Sequence, residues 1–130
     1  MDNMTIRSEY QPTVDEFIDD LTQFATGSYL GEDEKEFWEA PYDATALPEL
    51  KSILERLLDA LDVLPADPPA EALTAVVSTS YKELTEFNRR HENAVIEPEE
   101  REEIAKLVYE ASASTGADDE ALGELPDFDY

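Results

Sequence analysis

Apolar residues recur every three or four positions along most of the chain, which is the spacing of one face of an α-helix. The first such stretch predicts a helix over 14–26, with Thr13 and Glu16 forming a capping box before it and Gly27 ending it. Its apolar positions are Val14, Phe17, Ile18, Leu21, Phe24 and Ala25. The less regular stretch that follows predicts a short helix over 32–40.

Three more helices are predicted beyond this region, each beginning at or near a proline. Pro48 suits the first position of a helix, and the clearest amphipathic stripe follows it. That stripe contains Leu50, Ile53, Leu54, Leu57, Leu58 and Leu61. Asp67 is placed to cap a long helix over 68–90 that would have Pro68 in its first position. A final helix is predicted from Pro98 to Gly116.

Four main helices, one short helix and short connections predict an all-α, single-domain bundle whose sequential helices are antiparallel neighbours. We expect an N-terminal arm over 1–12, a helical bundle domain over 13–116 and an acidic tail over 117–130. The tail holds six acidic residues and no basic one, so we expect it to be flexible. The predicted core consists of Phe17, Leu21, Phe24, Ile53, Leu54, Leu57, Leu61, Val77, Tyr81, Leu84, Ile104, Leu107 and Val108.

The charge of the chain narrows the classes of partner. Among 130 residues, 33 are acidic and 9 are basic, which gives a formal net charge of −24. Direct binding to nucleic acid or to anionic lipid is not expected, because both require a basic patch. The sequence has no cysteine, so disulfides and cysteine metal sites are excluded. We expect a cytoplasmic protein, because no apolar run reaches membrane-span length and no secretory signal is evident at the N-terminus.

Catalytic and metal-binding patterns are weak. Carboxylates four residues apart, such as Asp15 with Asp19, Glu16 with Asp20 and Glu99 with Glu103, are typical of solvated helix faces. The single histidine, His91, has no glutamate three residues before it, so the di-iron helix-bundle motif is absent. We therefore expect no catalytic residues, no cofactor and no metal.

The C-terminal segment Asp127, Phe128, Asp129 and Tyr130 is the first candidate for partner binding. It alternates acids with aromatic rings, which suits a partner pocket that has a basic rim and an apolar floor. Ordinary disorder of a chain end is the alternative interpretation.

Two further clusters are candidates for partner binding. The aromatic residues Trp38 and Tyr42, with Tyr29 and Phe37, suit either a recognition groove or a plug over one end of the bundle. The basic cluster Arg89, Arg90 and His91 suits either an acidic segment of a partner or compensation of a helix dipole.

Three interpretations of the acidity remain open. The first, which we favour, is a non-catalytic interaction or regulatory module for a basic protein surface, such as a DNA mimic or an immunity-type inhibitor. The second is an ordinary soluble protein of a salt-adapted organism, without a specific partner for its charge. The third is an enzyme with a buried site of carboxylates and His91. An apolar stripe left uncovered would additionally indicate a homodimer.

The net charge itself yields a prediction about salt. Repulsion among exposed carboxylates destabilises the folded state and is screened as ionic strength rises. We expect the melting temperature to rise between low and moderate sodium chloride concentration in a thermal unfolding series. A melting temperature that stays constant over that range would contradict net self-repulsion as a determinant of stability.

Overall fold

A computed structural model describes residues 5–27 and 42–126 of the chain. This part contains five α-helices, one 3-10 turn over Ala44–Ala46, and no strand. The helices are α1 (Ile6–Thr26), α2 (Leu47–Asp62), α3 (Ala70–Arg90), α4 (Pro98–Ala113) and α5 (Asp119–Gly123). The predicted all-α bundle of four main helices and one short helix is confirmed, although the short helix predicted over 32–40 lies outside the described residues. None of the described helices is both long enough and apolar enough to cross a membrane.

The bundle is organised around α2. Seven apolar side chains of this helix are at most 2% exposed, and they are Leu47, Leu50, Ile53, Leu54, Leu57, Leu58 and Leu61. At 100° per residue, these positions span an arc of roughly 140°, which is wider than the stripe of a helix that faces one neighbour. The arc is wide enough for α2 to contact α1, α3 and α4, and it does contact all three.

Ion pairs between helices establish that sequential neighbours of α2 are antiparallel. On one side, Arg7 Nη1 of α1 lies 2.7 Å from Asp59 Oδ2, whereas Lys51 Nζ lies 3.2 Å from Asp15 Oδ1 further along α1. On the other side, Arg56 of α2 pairs with Glu83 of α3. Glu49, which is earlier in α2, pairs with Arg90, which is later in α3. The antiparallel arrangement predicted for α2 and α3 is therefore confirmed.

The first helix begins earlier than its sequence pattern predicts. It starts at Ile6, with Thr5 as the N-cap residue in a capping box with Ser8, so residues 6–12 form its first turns rather than an arm. The backbone N–H groups of Ile6 and Arg7 donate to the Asp62 carboxylate at the end of α2, over 2.6 and 3.0 Å. This distant carboxylate satisfies N–H groups that no helix can pair internally. These two hydrogen bonds help to offset the loss of one inside the helix, where Pro12 has no backbone N–H to donate.

The start of α3 also differs from the prediction. The helix begins at Ala70 with Pro69 as its N-cap residue, and Asp67 is a turn residue with φ of +52° rather than a cap. The reason is the Pro68–Pro69 pair, because a residue that precedes a proline is disfavoured in helical conformation. Pro68 therefore cannot occupy the first helical position.

One buried asparagine fixes the loop between α3 and α4. Asn88 is fully buried; its Nδ2 donates to the carbonyl oxygen of Ile96 over 3.0 Å, and its Oδ1 accepts from the Ile96 N–H over 2.9 Å. Glu92 and Asn93 adopt left-handed backbone conformations in the turn. Together these contacts bury Val95 and Ile96 in the core and direct the chain into α4.

The C-terminal region provides the largest correction. Within the segment expected to be a tail over 117–130, Asp119–Gly123 forms α5, in which Asp118 caps the Ala121 N–H and both Ala121 and Leu122 are buried, whereas residues 127–130 lie outside the described part of the chain. This helix contacts both α3 and α4, whereas α4 itself lies along α1 and α2. The prediction that α4 would fold back along α3 is not met, because α4 lies along α1 and α2 and α5 contacts both α3 and α4.

The predicted core is confirmed at every position except Phe24. The other twelve predicted side chains are buried in one cluster with the rest of the core. Phe24 is 41% exposed, because at 100° per residue it lies roughly 60° from Leu21, at the edge of the α1 stripe. The helix ends as predicted at Gly27, which has φ of +70°.

The loop geometry predicts a large effect of substituting Asn88. In Asn88→Ala, Ile96 would lose both hydrogen bonds to the Asn88 side chain within the core, and we expect the free energy of unfolding to fall by about 2–4 kcal/mol. Urea denaturation measures this change. Thr79→Ala is the control, because Thr79 is exposed on the same helix and should cost less than about 0.5 kcal/mol. Equal losses for the two variants would contradict the role assigned to Asn88.

Candidate partner-binding groove

A surface groove runs between α1 and α4. It has two sections, of about 370 and about 610 Å³, which share Phe17, Asp20 and Glu103 in their lining. Thr13 of α1 lies at the same end as Glu110 of α4, so the two helices are antiparallel along the groove. At the Thr13 end, the Tyr10 hydroxyl donates to the Glu110 carbonyl oxygen over 3.0 Å. We call this feature the acidic groove, for the residues described next.

The acidic groove combines an apolar floor with acidic rims. Its lining includes the carboxylates of Glu16, Asp20, Glu97, Glu99, Glu100, Glu103 and Glu110. One lysine, Lys106, lines it as well, so the ionisable side chains of the lining carry a formal charge of −6. Phe17, Leu21, Ile104 and Leu107 form a largely buried floor, and the partly exposed Phe24 ring lies at one end. All the lining carboxylates except Glu100 are exposed, so they are available to a molecule that approaches from solvent.

Basic residues pair with carboxylates along the two contacts of α2 with α1 and α3. Arg7 pairs with Glu55 and Asp59 between α1 and α2, and Arg56 pairs with Glu83 between α2 and α3. The facing rims of the acidic groove, by contrast, carry charges of the same sign. A negative potential is therefore concentrated at the rims of the acidic groove, next to its apolar floor.

Glu100 is the partly buried carboxylate in the lining of the acidic groove. Its carboxylate accepts a hydrogen bond from the Glu97 N–H over 3.1 Å, which completes a capping box at the start of α4. Partial burial nevertheless raises the pKa of the Glu100 carboxyl, and the charges of Glu97, Glu99 and Glu103 raise it further. The charged form of Glu100 is thus disfavoured where it lies, and an added positive charge would relieve this cost.

Tyr42, a sequence candidate for partner binding, is a buried residue at one end of the acidic groove. Its hydroxyl donates to the Leu21 carbonyl oxygen over 3.1 Å, and its ring centroid lies 6.5 Å from that of Phe24. Burial, followed by the charges of Glu100 and Glu97, raises the pKa of Tyr42 to about 12. The buried position of Tyr42 agrees with the interpretation of this residue as part of a plug over one end of the bundle.

The basic cluster Arg89, Arg90 and His91 lies at the end of α3, outside the lining of the acidic groove. The Arg90 guanidinium makes two hydrogen bonds to Glu49, of 2.7 and 3.2 Å, and this contact lowers the pKa of the Glu49 carboxyl. Arg89 Nη1 lies 3.8 Å from Glu86 Oε1, and the His91 ring packs 4.7 Å from that of Phe87. The Arg90 contact joins α3 to α2, whereas the contacts of Arg89 and His91 lie within the end of α3, and any role of the cluster in partner binding stays a prediction.

The remaining candidates lie outside the described residues. They are Trp38 with Tyr29 and Phe37, and the C-terminal Asp127, Phe128, Asp129 and Tyr130.

The acidic groove was not predicted from the sequence, because its rims come from helices far apart in the chain. The available signal was the spacing of Glu16 with Asp20 and of Glu99 with Glu103, since each pair lies on one helix face.

The pKa shift of Glu100 predicts a stabilising substitution. Folding raises this pKa, so the proton-linked stability is present below the unfolded pKa and is lost as pH rises through the folded pKa. Glu100→Gln keeps an oxygen for the Glu97 N–H and removes the charge. We therefore expect it to have a higher melting temperature than the control Glu102→Gln at neutral pH.

The control Glu102→Gln removes the same charge from an exposed position on the same helix. The difference between the two variants should disappear at a pH below about 4, where an unperturbed glutamate takes up its proton. Thermal unfolding followed by circular dichroism over this pH range measures the difference. A difference that does not depend on pH would contradict the assignment.

The acidic groove can form ion pairs through its carboxylates and apolar contacts through its floor. Within residues 5–27 and 42–126, no group of three or more acidic or histidine side chains is arranged to hold a metal ion. Comparison of the chain with protein-family models, with curated proteins and with solved structures found no match.

Proposed function

We propose that this chain is a non-catalytic interaction module that binds a basic surface of a protein partner in the acidic groove. The observation that carries the proposal is the lining itself, in which seven carboxylates and one lysine surround an apolar floor. We also propose a cytoplasmic location, on the sequence grounds given above. Basic enzymes and nucleic-acid-binding proteins are the partner classes that fit this charge.

Electrostatics supports this function in two ways. Facing rims of like charge repel each other, so a cationic surface gains energy from both rims when it enters between them. The same concentrated potential attracts a basic partner over distance and speeds its association, with a strong dependence on salt. The pKa of Glu100 is raised first by its partial burial and then by the charges of Glu97, Glu99 and Glu103, and a cation placed nearby would oppose the second effect.

The position of the apolar residues also favours binding by contact. Phe24 places a partly exposed aromatic ring at the groove end, beside the buried Tyr42. Aromatic rings contribute strongly to protein interfaces when a partner excludes water from them. The acidic groove thus offers charge for attraction and a ring for burial.

Charge-matched variants test the proposal. The groove variant Glu16→Gln, Asp20→Asn and Glu103→Gln neutralises three rim carboxylates. The control variant Glu71→Gln, Glu92→Gln and Glu124→Gln neutralises three exposed carboxylates outside the lining. Each protein is immobilised, exposed to lysate of its source organism at low salt, and the captured proteins are quantified by mass spectrometry.

We expect at least one basic protein to be retained by the native chain and by the control, and to be reduced at least tenfold on the groove variant. That protein, once purified, should bind the native chain with an affinity that falls as salt increases. Capture that is equal on all three immobilised proteins would overturn the proposal and would leave general acidity as the better explanation of the charge.

A further inference from the structure

The dimensions of the acidic groove restrict what can fill it. Its walls extend from Thr13 to Phe24 on α1 and from Pro98 to Glu110 on α4, which is eleven residue steps on one side and twelve on the other. At 1.5 Å per residue each wall is roughly 17 Å long. An α-helix of about eleven residues, or three turns, has the same length.

The spacing of the rim charges restricts the occupant further. Glu16 and Asp20 are four residues apart on one rim, and Glu99 and Glu103 are four apart on the other, so each pair repeats at about 6 Å. Basic residues four apart along a helix repeat at the same distance. A helix presents two such lines on either side of an apolar stripe, so it can contact both rims and the floor at once.

An extended segment fits less well. Its successive side chains point to opposite sides, so it cannot serve two rims and a floor together. Its backbone N–H and C=O groups would also need partners, and those of the helical walls are already paired within each helix. The walls therefore favour an occupant that satisfies its own backbone.

Resting on the function proposed above, we infer that the occupant of the acidic groove is a cationic amphipathic α-helix of about three turns, supplied by the partner. Its basic residues pair with both rims, and its apolar stripe covers the floor between Phe17 and Leu107. Because the floor residues are largely buried already, most of the newly covered apolar surface is the Phe24 ring. Attraction by the rims therefore dominates the affinity, and the apolar stripe determines the orientation.

Two synthetic peptides of identical composition test this inference. The first is a fourteen-residue leucine and lysine peptide with leucines on one helical face, and the second is a scrambled isomer without an amphipathic face. Their dissociation constants are measured by fluorescence anisotropy against the native chain, the groove variant and the control variant. Peptide helicity is followed by circular dichroism, and the methyl groups of Leu21, Ile104 and Leu107 are followed by NMR.

We expect the amphipathic peptide to bind the native chain at least tenfold more tightly than its isomer, to become helical, and to shift the three methyl signals. The groove variant should lose at least tenfold in affinity for it, and the control variant less than threefold. Phe24→Ala should weaken the amphipathic peptide and leave the isomer unchanged. Melting curves of all variants verify that each is folded.

The possible failures are distinguishable. Equal affinity for both peptides, lost in the groove variant, would overturn the helical occupant and leave the binding function standing. If the two peptides bound with the same affinity, and each bound the groove variant as tightly as the control variant, both the helical occupant and the groove as a binding site would be overturned. Absence of binding by either peptide to the native chain would overturn the inference as well.

Discussion

Burial of one face of α2 is the interaction on which the rest of the structure depends. This face contains seven aliphatic side chains that are at most 2% exposed, and each favours burial by roughly 1.5–3 kcal/mol. Because their arc is wide, a single helix provides the contact surface for α1, α3 and α4. Removal of any neighbour would expose part of this arc, so the positions of the other long helices are coupled through α2. The acidic groove is the surface crease where α1 and α4, which both pack on α2, lie against each other.

Scarcity of basic residues gives the molecule its electrostatic asymmetry. Only 9 basic residues are available against 33 acidic ones, so most carboxylates cannot have a cationic partner. Ion pairs join α2 to α1 and to α3, two helices with which it is already in close contact. Their basic members are Arg7, Lys51, Arg56 and Arg90. Exposed ion pairs of this kind contribute little stability individually. Their position matters more, because they neutralise the two sides of α2 and leave the α1 and α4 rims with a net negative charge.

Local sequence patterns were sufficient to predict the helices and most of the core, and they failed where a distant residue decides the outcome. The stripe of α2 and the end of α1 at Gly27 depend on nearby residues and were predicted correctly. The start of α1 has a local capping box of Thr5 with Ser8 and also a contact with Asp62, which is 56 residues from Ile6, and only the second is beyond the reach of a local pattern. The acidic segment after Gly116 carries few apolar residues, and the burial of Ala121 and Leu122 depends on contacts of α5 with both α3 and α4. The acidic groove is of the same kind, because each rim alone is an ordinary solvated helix face.

Adaptation to salt and binding of a basic partner both account for a net charge of −24, but they make different demands on where the charge lies. Adaptation requires only that carboxylates face water, and it is best served when they are far apart and fully solvated. Glu100 departs from this, because it is partly buried, which is the main cause of its raised pKa, and because the charges of Glu97, Glu99 and Glu103 raise that pKa further, a part that a dispersed arrangement would avoid. Such a cost is compensated when a cation enters the site, as unpaired charges in binding sites are stabilised by their ligands. The concentration of charge at the acidic groove, more than its total, therefore favours a partner.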